Sequence, residues 1–269
     1  MKKLVLLTMV LFCLGAQAQS TSAPSAPAEH EKLYDDFSGK WLDPAKWIPA
    51  NPQCWGNVLE CVREIRDHKL RLVARNFGAR NSDSGIQWSE SEVYFTKPNL
   101  VNGIGADITS RFSGAGCPTN NTDFTHTQVQ LGGNFFNTGS GNPSDDINAW
   151  LIDWTDSTNP GYQGFSVYWG YIWPLPATDT PFATYPAGTK ITATLKWDKK
   201  NHQFIATTKV KGQPDETAER VEIPYPYPDT TPPATPLKSL QAQQHTLNCT
   251  TAPTYGQVEA TFGNVMVSR

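Results

Sequence analysis

Two short stretches hold the side chains best suited to chemistry. In IQWSESEVYF, residues 86–95, Trp88, Glu90, Glu92 and Tyr94 recur at every second position. On a strand they share one face, with neighbours about 6.6 Å apart along the backbone. Two carboxyl groups so placed can lean together between two aromatic rings. Flat rings stack on the C–H faces of a hydroxyl-rich ligand while carboxyls take its hydroxyls, and a glutamate pair is also the minimum for acid–base or nucleophilic work. The same pattern equally suits a solvated outer face that binds nothing. In NPSDDINAWLIDW, residues 142–154, Asp146, Asn148 and Trp150 share a face. Asp153, seven residues beyond Asp146, points the other way, and Asp145, eight residues from Asp153, lies about 26 Å from it along a strand.

Other candidates carry less. Asp35, Asp36, Asp145 and Asp146 are oxygen ligands of the kind calcium takes, though no EF-hand spacing is present. The five histidines show no zinc spacing, and no Gly-x-Ser-x-Gly marks a serine nucleophile. In QGFSVYWGYIWPLP, residues 163–176, Phe165, Val167, Trp169, Tyr171 and Trp173 share what reads as a core face, with Trp173 running out into a loop as an exposed ring. Tyr168, with Ser166, faces the other way and joins Trp150 in lining a polar aromatic cleft.

The elements that must position these groups are short strands. Apolar residues alternate in HKLRLVAR (Leu70, Leu72, Ala74), GIGADITSRF (Ile104, Ala106, Ile108), THTQVQL (Thr127, Val129, Leu131, with Gln128 and Gln130 opposite), TKITATLKW (Ile191, Ala193, Leu195, Trp197) and QVEATF (Val258, Ala260, Phe262). This period of two predicts half-buried strands. Asp198–Asn201 reads as a hairpin turn. No stretch of 12 residues keeps a helical period. Residues 224–236, PYPYPDTTPPATP, hold six prolines and predict an extended loop, because proline removes ladder donors. Many strands in a single composition regime predict one all-β domain, an antiparallel two-sheet sandwich or jelly roll, over residues 32–269.

Ahead of it, residues 1–18 read as a secretory signal: Lys2 and Lys3, an apolar run, then Ala16-Gln17-Ala18. Residues 19–31 read as a flexible Ser/Ala/Pro leader. The expectation is a bacterial-type exported protein, secreted or periplasmic, without a membrane span. Cys54, Cys61, Cys117 and Cys249 then form two disulfides. Proximity in sequence suggests Cys54–Cys61, which leaves Cys117–Cys249. The net charge of −3 and the absence of a basic run after the signal leave nucleic-acid binding without its electrostatic footprint.

The segment LYDDFSGKWLDPAKW, residues 33–47, resembles the opening strand of concanavalin A-like lectin/glucanase domains, including family-sixteen glycoside hydrolases. REIRDHKLRLVAR, GIGADIT and VEATFGNVMV resemble later strands of that family in the same order, the last pairing back beside the first. The resemblance spans about residues 33–269. It implies a jelly roll with a concave, glycan-binding face. Family-sixteen enzymes carry Glu-x-Asp-x-Glu on one strand; here the matching frame is Asp146-x-Asn148-x-Trp150, with one carboxylate left. The expectation is therefore an exported lectin-like protein that binds a poly- or oligosaccharide without classical hydrolase activity. Trp88, Tyr94 and Trp150 would stack, and Glu90, Glu92, Asp146 and Asn148 would hydrogen-bond. The alternatives are a divergent glycoside hydrolase or polysaccharide lyase using Glu90 and Glu92 or residues of another strand, and a structural or adhesive surface protein.

Overall fold

The structure, a computed structural model, describes residues 31–56, 58–81, 83, 85–117, 126–156, 161–171 and 177–269. The signal, the leader up to residue 30 and the ring at Trp173 lie outside them. Among the described residues fifteen strands follow in chain order: β1 Lys32–Asp35, β2 Trp47–Gly56, β3 Val58–Arg66, β4 Lys69–Phe77 and β5 Ile86–Phe95. Next come β6 Gly103–Ala115, β7 His126–Asn137, β8 Asp146–Asp156, β9 Tyr162–Tyr171 and β10 Ala177–Pro186. The last five are β11 Ile191–Asp198, β12 Gln203–Val210, β13 Glu219–Pro224, β14 Lys238–Leu247 and β15 Tyr255–Ser268. The described helices are three single 3₁₀ turns, and none of the described helices is long and apolar enough to cross a membrane.

The strands form two antiparallel sheets. One runs β13-β12-β11-β6-β15-β4-β3, with β1 added beside β15; the other runs β10-β9-β8-β7-β14-β5-β2. The alternation predicts which faces meet. Leu70, Leu72, Ile104, Ile108, Ile191, Leu195, Val258 and Phe262 of the first sheet are buried, as are Val93, Val129, Leu131, Leu151, Phe165, Val167 and Leu240 of the second. These belong to one continuous core. Removing their apolar surface from water is what holds the sheets together, at roughly 25 cal/mol per Å² buried.

Turn chemistry agrees with the residues present. Arg66 pairs with Lys69, so Asp67 and His68 alone close that hairpin, and both have positive φ, as a two-residue turn of matching twist requires. At the β11–β12 hairpin Asp198 accepts from the Lys200 amide (3.1 Å) and from Asn201 Nδ2 (2.7 Å). The proline-rich segment contributes no strand beyond the end of β13. It runs as a strap from β13, at the edge of one sheet, to β14 inside the other, touching the ladder at an isolated Thr231–Asn137 bridge. Cys117 and Cys249 are joined, Cα to Cα 5.4 Å. Cys61 is disulfide-bonded; the Cys54 side chain, its expected partner, lies outside the described ones.

Candidate functional site

Register places the candidates of β5 and β8 on the same face of the seven-stranded sheet, the face turned away from the core. Ala242 and Leu240 of β14 face inward, so Gln241 and Gln243 face outward. Gln241 lies between Glu92 and Gln130, and Gln243 between Glu90 and Gln128. On the next strand Gln130 pairs with Ile152, Gln128 with Trp154 and Gly132 with Trp150. Beyond that Trp150 pairs with Tyr168. Trp88, Glu90, Glu92, Tyr94, Trp150 and Tyr168 thus share one surface, separated by glutamines of the two central strands. From β5 to β8 is three strand spacings, about 14 Å.

The glutamines form a hydrogen-bonded ladder. Gln241 Nε2 donates to Glu92 Oε2 (3.0 Å) and Gln243 Nε2 to Glu90 Oε2 (2.7 Å). Gln243 Nε2 also reaches Gln241 Oε1 (3.2 Å), while Gln130 Nε2 donates to Gln128 Oε1 (2.7 Å) and Gln243 Oε1 (3.1 Å). Tyr94 donates its hydroxyl to Glu92 Oε1. These bonds fix rotamers that would otherwise be free, so the face is preorganised.

The carboxyl pair is buried, each residue only 4 % exposed, and the two carboxyls lie near enough to influence each other's charge. Burial first, and the charge of Glu90 second, push the Glu92 carboxyl up to about 8, because a second negative charge is disfavoured in a desolvated site beside the first. Burial and the bond to Glu92 raise Tyr94 above its ordinary value. Burial lowers His245, whose ring meets Trp88 edge-on at 6.3 Å. Each acid also accepts from a neutral side chain, Glu92 from Tyr94 and Gln241 and Glu90 from Gln243, an arrangement suited to holding hydroxyls.

The β8 end supplies the rings. Trp150 and Tyr168 are half-buried, and Trp154 is 38 % exposed. A Cβ on Gly164 would fall 2.7 Å from Trp154 Cε2, so the indole lies over the bare glycine backbone. A side chain at Gly132 would strike Ala149 O at 2.2 Å, and its φ is +153°. Glycine here lets β7 lie close against the β8 backbone at Ala149 and Trp150.

Asn148 also belongs to this face and is 9 % exposed; among the described residues its Oδ1 has no hydrogen-bond partner. Asp146 corrects the expectation for its strand. It is fully buried, and its carboxylate accepts from the Ala234 and Thr235 amides of the strap and from Asn137 Nδ2, each at 2.7 Å. It fastens the strap and, fully buried, lies out of a sugar's reach. Asp153 faces inward as its parity requires. It is buried, accepts from Ser110 Oγ at 2.6 Å, and lines a cavity of ≈ 30 Å³ with Ser110, Thr127, Thr155 and Gln163, enough for a buried water.

The acids expected to suit calcium are separately engaged. Asp35 accepts from the Phe37 amide (2.9 Å) and Trp47 Nε1 (2.6 Å), Asp36 from the Ser38 amide (3.1 Å), and Asp145 from Ser140 Oγ (2.5 Å). Among the described residues the group of three ligand atoms found together is Asp83, Cys117 and Cys249, and those sulfurs are spent in the disulfide.

Sequence reasoning missed Gln241, Gln243 and Trp154 as part of the site. The signal was present in SLQAQQHTL, where Gln241 and Gln243 alternate with Leu240 and Ala242; what was lacking was that β14 inserts between β5 and β7.

No family model matches the chain, and no curated protein matches it. Solved structures similar to it include lectin II from Ulex europaeus, at 10 % identity over 85 % of this chain and 98 % of that one, TM-score 0.33. Another is a xylan beta-1,4-xylosidase from Bacillus halodurans, 13 % identical over 90 % of this chain and 41 % of that one, TM-score 0.40. A third is an alginate lyase in complex with alginate tetrasaccharide, 14 % identical over 77 % and 83 %, TM-score 0.32.

Proposed function

We propose that the chain is an exported, concanavalin A-like carbohydrate-binding protein whose site is the outward face of the seven-stranded sheet. One observation carries this reading. Strands distant in sequence bring Trp88, Glu90, Glu92 and Tyr94 to one side of a fixed glutamine ladder and Trp150, Trp154 and Tyr168 to the other. Rings that stack and amides that both donate and accept are what a polyhydroxylated ring needs. With about 14 Å between the two ends, a ligand touching both is an oligomer. The function we infer is binding, with both acids already held by Tyr94, Gln241 and Gln243.

The test is a glycan array followed by calorimetry on the best hits, with the Trp150→Ala/Trp154→Ala double variant alongside. The expected loss in the variant is roughly 5- to 150-fold, taking about 0.5–1.5 kcal/mol per stacked ring. A blank array defeats the reading, and undiminished binding by the double variant moves the site elsewhere.

A further inference from the structure

The two sheets differ sharply in charge. The chain has 22 Lys and Arg. In the eight-stranded sheet β1, β3, β4, β6, β11, β12 and β13 each carry at least one. In the seven-stranded sheet β2, β5, β7, β8, β9 and β10 carry none, and β14 carries only Lys238. Lys238 does not serve the outward face. It is 2 % exposed, donates to the Asn134 carbonyl (2.9 Å) and the Pro98 carbonyl (3.3 Å), and sits 4.2 Å from the centre of the Phe135 ring. Tyr94 and Gln241 donate to Glu92, and Gln243 donates to Glu90. Arg63 approaches only the backbone, at the Glu92 carbonyl (3.3 Å).

Sugars bearing carboxylate or sulfate groups are held by cations, because a desolvated anion needs a charge-assisted partner. The strands of this face supply none, and Glu90 adds a carboxyl beside Glu92 where an anionic sugar would lie. A neutral sugar meets no such barrier: its hydroxyls can bond the amides, and its C–H faces can cover the indoles.

We propose that this face selects uncharged oligosaccharides and rejects those carrying uronate or sulfate groups. The inference rests on the carbohydrate-binding reading and names the substrate class of that site. It makes the chain a receptor for neutral, glucan- or xylan-like polymers, with specificity set by charge exclusion as well as contact.

Calorimetry at pH 7 and low salt, on the purified protein, tests it with matched hexamers: cellohexaose, laminarihexaose and xylohexaose against hexamannuronate and hexagalacturonate. At least one neutral hexamer should bind roughly tenfold or more tighter than both uronates, as expected for an unscreened like charge a few ångströms away. The Ile152→Lys variant, which sets a cation in the middle of the face, should gain uronate binding by a similar factor and lose that gain in 0.5 M salt. Uronate binding as tight as neutral binding in the unaltered protein overturns the charge rule and leaves carbohydrate binding standing. A panel in which no hexamer binds overturns both.

Discussion

Asp153 gives the most exacting test of the physical account. It sits between the sheets, 3 % exposed, with Ser110 Oγ as a donor at 2.6 Å. Burial, only partly offset by that hydrogen bond, pushes its carboxyl from 3.8 up to about 7. A raised carboxyl stabilises the fold at low pH and works against it as pH rises, since unfolding lets the proton leave. Between about pH 4 and 7 the folded state holds one proton more than the unfolded state, so stability falls by about 1.4 kcal/mol per pH unit. Over the whole interval this comes to about 4 kcal/mol. Asp153→Asn removes the titration while keeping an oxygen for Ser110 and an amide that can reach Gln163 or a water in the adjoining cavity. Urea unfolding of both proteins every half unit from pH 4 to 8 measures the difference. The variant should gain on the native protein steadily with pH, by about 4 kcal/mol at pH 7.5 relative to pH 4. Parallel stability curves would show that the carboxyl is ionised and solvated in the folded protein, and would refute the buried-acid argument.

Two further predictions follow from features of the fold. Asp146→Ala strips three hydrogen bonds and leaves the Ala234 and Thr235 amides without their acceptor; it should cost about 3–5 kcal/mol, and limited proteolysis should then cut within residues 225–236, whereas Asp146→Asn should lose less. The Cys117→Ser/Cys249→Ser pair opens a loop spanning 132 residues; chain entropy sets a ceiling of about 5 kcal/mol and typical losses are about 2–4 kcal/mol, so Tm should drop by about 5–15 °C, and an unchanged melting curve would mean that the bond constrains nothing.

Alternation made the core readable. Leu70, Leu72, Ile191, Leu195, Val258 and Phe262 were assignable to the interior because period two leaves no other face for them, and the same rule put Asp153 opposite Asp146. Trp88 through Tyr94 were visible for that reason too. What period two cannot reveal is which strand lies beside which. Gln241 is 149 residues from Glu92, and only the strand order makes them neighbours. Asp146 was misjudged for a related cause. Its parity places it with Asn148 and Trp150, but its acceptors are claimed by amides 88 and 89 residues away, on a strap whose course no local pattern records.

The position of β15 has a consequence for how this molecule comes into being. Residues 255–268 lie between β6 and β4, with β1 beside them at their far end. Until they arrive, β3-β4 on one side and β6-β11-β12-β13 on the other are separate ribbons with open edges. A nascent or threading polypeptide therefore cannot assemble this sheet piecemeal; the ribbons can zip only once the final strand is free to slot between them. Such long-range closure is slow and leaves edges that invite pairing with other chains.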